Sequence, residues 1–141
     1  MRASEIMTKD PACVTAGDSI RKAVELMRTR DVGLIPVVEN DNSRKLLGVI
    51  TDRDIALRVV GEGLPADGNV QQFMSNGVHT ARPDDEVDSV MNLMGREQIR
   101  RIPIVDERGS VVGIVAQADV VLEGGNAKKV DNTIEKISRK S

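Results

Sequence analysis

The stretch Gly48-Val49-Ile50-Thr51-Asp52-Arg53-Asp54 decides the fold of this chain. A glycine followed by two β-branched residues is typical of the end of a buried strand. Thr51, with an acidic residue three positions later, is typical of the first turn of a helix. The stretch therefore predicts a strand-to-helix junction that carries polar side chains. Gly113–Asp119 reads Gly-Ile-Val-Ala-Gln-Ala-Asp, so the chain contains a second version of this junction.

An internal repeat surrounds the two junctions. Ile35–Val38 reads Ile-Pro-Val-Val and recurs 67 residues later as Ile-Pro-Ile-Val at Ile102–Val105, and the same offset relates the segments that precede it. Two extra residues in one loop of the first copy reduce the offset to 65 at the junctions. A match of this length indicates the duplication of one supersecondary unit.

Each copy predicts the same order of elements: a short helical lead-in, a short strand, a helix, a β-hairpin and a final helix. In the first copy these are Arg2–Met7, Ala12–Thr15, a helix that buries Ile20, Ala23, Val24 and Met27, the strands Leu34–Val38 and Leu46–Ile50, and Asp52–Val60. In the second copy they begin with Asn69–Met74, Val78–Ala81, a helix that buries Val87, Val90, Met91 and Met94, and the strands Ile102–Val105 and Val111–Val115. Asp18 is the predicted N-cap of the first long helix.

The composition argues against several classes of protein. The chain has 141 residues, 40% of them hydrophobic, which is enough for a folded core. A net charge of −2 and a single aromatic residue, Phe73, argue against nucleic-acid binding. One histidine and one cysteine leave little material for a nucleophile–base pair or a transition-metal cluster. We expect a cytoplasmic protein without membrane contact, because there is neither a long apolar run nor a secretory signal.

Two repeats with an apolar-Pro-Val-Val-acidic strand and a Gly-x-x-Thr-x-x-Asp junction resemble a tandem pair of cystathionine β-synthase (CBS) domains, a Bateman module of the stand-alone bacterial type. The match is fullest at Ile35–Glu39 and Gly48–Asp54, whereas the second copy has Ala116 in place of the threonine. The resemblance implies an α+β fold with two pseudo-twofold-related β-α-β-β-α units packed sheet to sheet. It further implies clefts between the units for adenosine-containing ligands, and pairing of two chains into a homodimer.

The resemblance covers about residues 1–125 and suggests domain boundaries. We expect CBS domain 1 at residues 1–63, a linker at 64–68 and CBS domain 2 at 69–125. Residues 126–141 differ in composition, with five basic and two acidic side chains. We expect a basic C-terminal tail there, either solvated or helical, since Val130, Ile134 and Ile137 have helical spacing.

Asp54 and Asp119 are the first candidates for ligand binding. A carboxylate at the start of a helix can accept two hydrogen bonds from a ribose diol, and the resemblance implies this role. The alternative is that each aspartate only caps its helix. Capping explains Asp119 less well, because Ala116 lacks the hydroxyl that Thr51 supplies in the first copy. Thr51 could also contact a ligand oxygen, so we expect either two unequal sites or one ligand per chain.

Basic residues and strand prolines complete the predicted site. Arg100 and Arg101 precede the proline strand of the second copy, and only one of them can face a ligand because strand residues alternate. The resemblance implies that a basic residue at the place of Arg100 contacts phosphate in some nucleotide-binding relatives, and the alternative is a solvated arginine at a strand edge. Arg53 is a lesser phosphate candidate. The prolines lack an N–H and leave a gap in each ladder, or they mark edge strands. The full predicted set is Ile35, Pro36, Thr51, Asp52, Arg53, Asp54, Arg100, Arg101, Ile102, Pro103, Ala116 and Asp119.

Three functions are compatible with these residues. The first is a non-catalytic regulatory or sensor module that binds AMP, ADP or ATP, or alternatively NAD or S-adenosylmethionine, with no required cofactor and no metal, and with its downstream protein partner left open. The second is a ligand-free dimerisation or partner-docking protein. The third is an enzyme that uses Asp52 and Asp54 as an acid–base pair, which requires a closed pocket that raises one pKa. The sequence favours the first.

Overall fold

A computed structural model of the chain describes residues 1–123, and the basic tail predicted at residues 126–141 lies outside the described residues. The helices are α1 (Ala3–Ile6), α2 (Ile20–Arg30), α3 (Asp52–Asp54), α4 (Val87–Glu97) and α5 (Gln117–Glu123). The strands are β1 (Thr8–Lys9), β2 (Val14–Thr15), β3 (Leu34–Val38), β4 (Leu46–Thr51), β5 (Arg101–Val105) and β6 (Val111–Ala116). A π-helical turn, Ile55–Val60, continues α3, and Val70–Gln72 forms a short 3-10 helix.

The chain divides into two compact units. The first-repeat unit contains Pro11–Val78 together with Arg108–Val111. The second-repeat unit contains Met1–Asp10, His79–Glu107 and the chain from Val112 onward. The helical lead-in of each repeat therefore belongs to the unit that is otherwise built by the other repeat.

Each unit contains a three-stranded sheet. In the first-repeat unit the order is β2-β3-β4, with β2 parallel and β4 antiparallel to β3. In the second-repeat unit the order is β1-β6-β5, and β1 pairs antiparallel with β6. The strand predicted at Val78–Ala81 is wrong in extent, because only one parallel bridge forms there, between Ala81 and Ile104. The expected mixture of helices and two small sheets is confirmed.

Gly48 and Gly113 are required because a lead-in crosses each final strand closely. A Cβ atom on Gly48 would lie 2.5 Å from the carbonyl oxygen of Ser75, which pairs with β4. A Cβ atom on Gly113 would overlap the side chain of Met7 and lie 3.0 Å from the carbonyl oxygen of Thr8. The glycine that opens each junction motif is thus explained by the close approach of another backbone.

Each unit has its own hydrophobic core. The helix α4 buries all four residues predicted to be buried, Val87, Val90, Met91 and Met94. In α2, Ile20 and Ala23 are buried and Met27 packs against them, but Val24 is 41% exposed. The predicted burial of Val24 is therefore wrong, because the contacts of α2 follow the line through Ile20, Ala23 and Met27 and leave position 24 at the margin.

Ser19, rather than Asp18, is the N-cap of α2. The Ser19 hydroxyl accepts a hydrogen bond from the Lys22 N–H at 3.1 Å. Asp18 instead accepts hydrogen bonds through Oδ2 from the Thr15 N–H at 2.8 Å and from the Lys22 ammonium at 3.2 Å. Burial raises the pKa of Asp18, but these hydrogen bonds and the charge of Lys22 outweigh burial and hold that pKa below its ordinary value of 3.8. The prediction was wrong by one residue, and Asp18 stabilises the turn before the helix.

The final helix of the first repeat has the predicted ends but not uniform winding. Asp52–Asp54 is α-helical, whereas Ile55–Val60 is π-helical and ends where the Gly61 N–H donates to the Ala56 carbonyl at 2.8 Å. A membrane-crossing helix would need a longer apolar run than any helix within residues 1–123 offers.

Candidate ligand-binding site

The first junction, at the end of β4, is held by a complete capping box. The Thr51 hydroxyl accepts a hydrogen bond from the Asp54 N–H at 3.1 Å, and Asp54 Oδ2 accepts one from the Thr51 N–H at 3.0 Å. These reciprocal bonds satisfy two of the backbone donors that a helix start leaves open. The Asp54 side chain is only 13% exposed, so its carboxylate is firmly oriented.

The second junction, at the end of β6, keeps half of that capping box. Asp119 Oδ2 accepts a hydrogen bond from the Ala116 N–H at 2.9 Å, as Asp54 does at the first junction. The reciprocal bond is lost, since alanine has no hydroxyl. Asp119 therefore caps its helix even without a hydroxyl at Ala116, and capping explains this aspartate better than the sequence predicted.

The same backbone bond occurs at the two other helix starts. Asp18 Oδ2 accepts the Thr15 N–H at 2.8 Å, and Asp85 Oδ2 accepts the Arg82 N–H at 2.9 Å. Four aspartates thus bond the N–H three residues before them, two ahead of the long helices and two at the junctions. This shared role was not predicted from the sequence, although an aspartate three residues after an extended residue is a recognisable signal. The bond alone does not distinguish a ligand-binding aspartate from a structural one.

A further backbone contact ties each junction to the start of the proline strand in the same repeat. The Asp52 N–H donates to the Gly33 carbonyl at 2.9 Å, and the Gln117 N–H donates to the Arg100 carbonyl at 2.7 Å. This contact places Arg100 beside the second junction, where the first junction has a glycine. Arg100 is exposed and precedes β5, whereas Arg101 is its first residue and is half-buried.

The isoleucines and prolines of the predicted set are buried. Ile35 and Ile102 lie in the two cores, with 1% and 0% of their surface exposed. Pro36 lies in β3, the central strand of its sheet, so the edge-strand alternative fails for Pro36. Pro103 lies in β5 at the end of its sheet order, although its carbonyl accepts the Ala81 N–H at 3.1 Å. Their buried side chains support the fold, and only their backbone groups could contact a ligand.

The remaining polar residues of the first junction are exposed. Asp52 accepts the Arg53 N–H through Oδ1 at 2.8 Å, and both side chains face solvent. A residue that the sequence analysis missed is Arg58, whose Nε lies 3.9 Å from Asp54 Oδ1 and whose Nη1 donates to the Phe73 carbonyl at 3.1 Å. Its spacing of four residues from Asp54 is a recognisable signal for an ion pair on a helix.

The twelve predicted residues separate into six in each compact unit. The first-repeat unit holds Ile35, Pro36, Thr51, Asp52, Arg53 and Asp54, and the second-repeat unit holds Arg100, Arg101, Ile102, Pro103, Ala116 and Asp119. Among the described residues, no three histidine, cysteine, aspartate or glutamate side chains converge as a metal ion would require. Each unit therefore offers hydrogen-bonding groups on a strand-to-helix junction, with the acidic residue as the shared feature.

Comparison with known proteins relates this geometry to a family. The model of the CBS domain matches residues 3–61 and 70–124. The chain is 35% identical over 137 residues to the CBS domain-containing protein YhcV of Bacillus subtilis, a match that covers 97% of this chain and 95% of that protein.

Two similar solved structures contain adenosine compounds. The CBS domain protein PAE2072 from Pyrobaculum aerophilum, complexed with AMP, has a TM-score of 0.79 and 26% identity, with 98% of this chain and 99% of that one covered. The CBS domain pair of protein MJ0100, in complex with 5′-methylthioadenosine and S-adenosyl-L-methionine, has a TM-score of 0.76 and 29% identity, with 86% and 93% covered. Because the family model matches both repeats and YhcV is similar over nearly its whole length, this chain belongs to the CBS domain family.

Proposed function

We propose that this chain is a non-catalytic regulatory module that binds adenosine-containing ligands at its two strand-to-helix junctions. The observation that carries the proposal is the arrangement of Asp54 and Asp119. Each uses Oδ2 to accept a backbone N–H three residues earlier, and within residues 1–123 neither uses Oδ1 for a backbone bond. An ionised carboxylate has about four acceptor positions, so each can still accept both hydroxyls of a ribose.

Solved relatives support the class of ligand. One similar CBS structure is complexed with AMP and another with S-adenosyl-L-methionine and 5′-methylthioadenosine. These compounds share an adenosine-derived portion with a ribose diol and differ in the group attached to it. We therefore propose AMP, ADP and ATP as the first candidates and NAD and S-adenosylmethionine as the second.

The two junctions should bind with different strengths. Thr51 offers a hydroxyl at the first junction, whereas Ala116 offers none at the second. Arg53 is an exposed cation within the first junction, and Arg100 lies beside the second, where its carbonyl accepts the Gln117 N–H. Since a guanidinium binds phosphate well, we propose that these two arginines contribute phosphate contacts at their respective junctions.

An acid–base role for Asp52 and Asp54 has less support. Asp52 is exposed and bonded to its neighbouring N–H, whereas an acid–base pair needs one carboxylate in a closed environment that raises its pKa. Regulatory action instead requires that a ligand binds one arrangement of the chain more tightly than another. We propose this difference in affinity, rather than chemistry, as the output of the module.

A thermal-shift screen tests the proposed ligand class. AMP, ADP, ATP, NAD and S-adenosylmethionine are each added to the full chain, and the melting transition is recorded. A ligand present at about 100 times its Kd should add about 2.7 kcal/mol of stability. At least one of the five is expected to raise the melting temperature. If none does at millimolar concentration, the adenosine proposal is refuted for the free protein.

A second candidate function, dimerisation or partner docking, is favoured by exposed apolar residues after the first junction. Leu57, Val60 and Leu64 are 55%, 71% and 46% exposed, and the Leu64 N–H donates to the Val59 carbonyl, which folds the chain back beside the π-helical turn. Sedimentation equilibrium of the chain and of Val60→Lys tests for a homodimer through this surface. The variant should dissociate, and an unchanged dimer would exclude this surface. Leu47→Lys, which places the same charge at an exposed apolar residue of β4, is the matched control.

A further inference from the structure

The guanidinium of Arg58 lies between the first junction and a distant backbone carbonyl. Its Nε is 3.9 Å from Oδ1 of Asp54, and its Nη1 donates to the carbonyl oxygen of Phe73 at 3.1 Å. The other carboxylate oxygen of Asp54 accepts the Thr51 N–H. The carboxylate of Asp54 is thus held from both sides, by a backbone N–H through one oxygen and by a cation beside the other.

The backbone that carries Arg58 is unusual. Arg58 belongs to the π-helical turn Ile55–Val60, which begins directly after Asp54. Turns of this kind are rare and occur frequently at functional sites. The corresponding helix of the second repeat is α-helical over Gln117–Glu123, and its sequence has Glu123 at the position aligned with Arg58. The arginine and its π-helical turn are therefore features of the first junction and not of both.

Arg58 donates to the carbonyl of Phe73, which lies in the last segment of the first-repeat unit before the chain enters the second-repeat unit. Phe73 follows the 3-10 helix Val70–Gln72, whose Val70 is fully buried in the core of that unit. Two residues later, the Ser75 N–H donates to the Val49 carbonyl at 2.8 Å. His79 is the first residue of the second-repeat unit in this direction. Phe73 therefore lies in the chain segment that leads from the first-repeat unit to the second-repeat unit.

We propose that Arg58 is a positioning residue that orients Asp54 for the ligand and couples ligand binding to the segment Val70–Ser75. The proposal rests on the proposed role of Asp54 as an acceptor for ligand hydroxyls. A hydroxyl that donates to Asp54 Oδ1 becomes a second neighbour of this oxygen and shifts the Arg58 guanidinium that lies 3.9 Å from it. Because the guanidinium is a rigid fork, a shift of its Nε changes the bond from Nη1 to the Phe73 carbonyl. By linkage, the state of that bond must also change the affinity for the ligand.

Two variants separate orientation from coupling. Arg58→Gln removes the positive charge together with the planar guanidinium group. Arg58→Lys keeps a positive charge near Asp54, but its single nitrogen cannot contact Asp54 and Phe73 as Nε and Nη1 of arginine do. Arg28→Gln is the matched control, since Arg28 is an exposed arginine near the end of α2 and the change in net charge is the same. Urea unfolding of all three variants checks that each is folded.

The experiment measures AMP binding by calorimetry and amide hydrogen exchange at Val70–Ser75 with and without AMP. Wild type should bind AMP and show a change in exchange at Phe73–Ser75. Arg58→Gln should bind AMP about two- to fivefold more weakly, the range for a partly exposed ion pair, and should lose the AMP-linked change in exchange. Arg58→Lys should recover affinity without recovering that change, and Arg28→Gln should behave as wild type.

Two different results would overturn the proposal, and they are distinguishable. If wild type binds AMP and Arg58→Gln matches it in affinity or in AMP-linked exchange, Arg58 has no positioning and coupling role, while the proposed function stands. If wild type itself binds no AMP, the proposed function fails for this nucleotide and the role of Arg58 fails with it. Equal weakening by Arg28→Gln would show a general effect of charge and would also overturn the proposal.

Discussion

The replacement Gly48→Ala tests the close contact between β4 and Ser75, at the end of the second repeat's lead-in. The new Cβ atom would lie 2.5 Å from the carbonyl oxygen of Ser75, so this oxygen must retreat by about 0.9 Å to reach an ordinary contact. Ser75 is fixed on both sides, because its carbonyl accepts the Val49 N–H at 3.1 Å and its own N–H donates to Val49 at 2.8 Å. The backbone cannot move without weakening this pair.

The magnitude follows from three contributions. Overpacking costs about 1–3 kcal/mol, and weakening one backbone hydrogen bond costs about 0.5–1.5 kcal/mol. Replacing a strand glycine with alanine also stabilises the fold by about 0.5–1 kcal/mol, because the unfolded chain loses conformational freedom. We therefore expect Gly48→Ala to lower the free energy of unfolding by about 0.5–4 kcal/mol, with a central value of about 2 kcal/mol, which is a fall of several degrees in Tm for a chain of this size.

Urea unfolding of three alanine variants measures this effect with internal controls. Gly113→Ala should cost less, because its nearest neighbour is the flexible side chain of Met7. Gly17→Ala should change stability by less than about 0.5 kcal/mol, since nothing lies within 4 Å of its Cβ position. If Gly48→Ala is as stable as Gly17→Ala, the close crossing of the lead-in over β4 is wrong.

Three further predictions concern the helices. The folded pKa of Asp18 lies below its ordinary value of 3.8, so the ionised Asp18 stabilises the fold fully above pH 3.8, and this stabilisation is lost as the pH falls through the folded pKa. Urea unfolding should therefore show that Asp18→Asn lowers the free energy of unfolding at pH 7 and lowers it progressively less below pH 3.8. Ser19→Ala should cost about 0.5–2 kcal/mol by the same assay, whereas Glu86→Ala should cost less, because Glu86 makes no side-chain cap. Met91→Ala should cost about 2–5 kcal/mol and Val24→Ala, at the aligned but exposed position, less than about 1 kcal/mol; equal costs would refute the assigned burial.

Local signals in the sequence predicted much of the fold. The repeat, the hairpin strands and the ends of the final helix of the first repeat follow from hydrophobic periodicity and glycine placement, and the structure confirms them. The complete capping box at Thr51 and Asp54 could be predicted because it depends on two residues only three positions apart. Membership of the CBS domain family could also be recognised, because the proline-strand motif and the junction motif both occur in each repeat at matching positions.

Long-range packing explains what could not be predicted. The pairing of Thr8 with Ile114 and of Ser75 with Val49 depends on which unit a short lead-in reaches, and a few residues do not encode that choice. Val24 has the helical spacing of a buried residue, yet its exposure depends on how the whole of α2 lies on its sheet. The contact of Arg58 with Phe73 joins residues 15 positions apart in different elements, so helical periodicity could not reveal it.

The central claim is that Asp54 and Asp119 bind a ligand in addition to capping their helices. The direct measurement is AMP titration by calorimetry of Asp54→Ala and Asp119→Ala beside Asp18→Ala and Asp85→Ala, since all four variants lose the same backbone bond. We predict that each junction variant loses affinity at one site by more than about tenfold, as expected for charged hydrogen bonds to hydroxyls, while Asp18→Ala and Asp85→Ala bind as wild type does. Equal effects in all four variants, or no effect in any, would contradict the account.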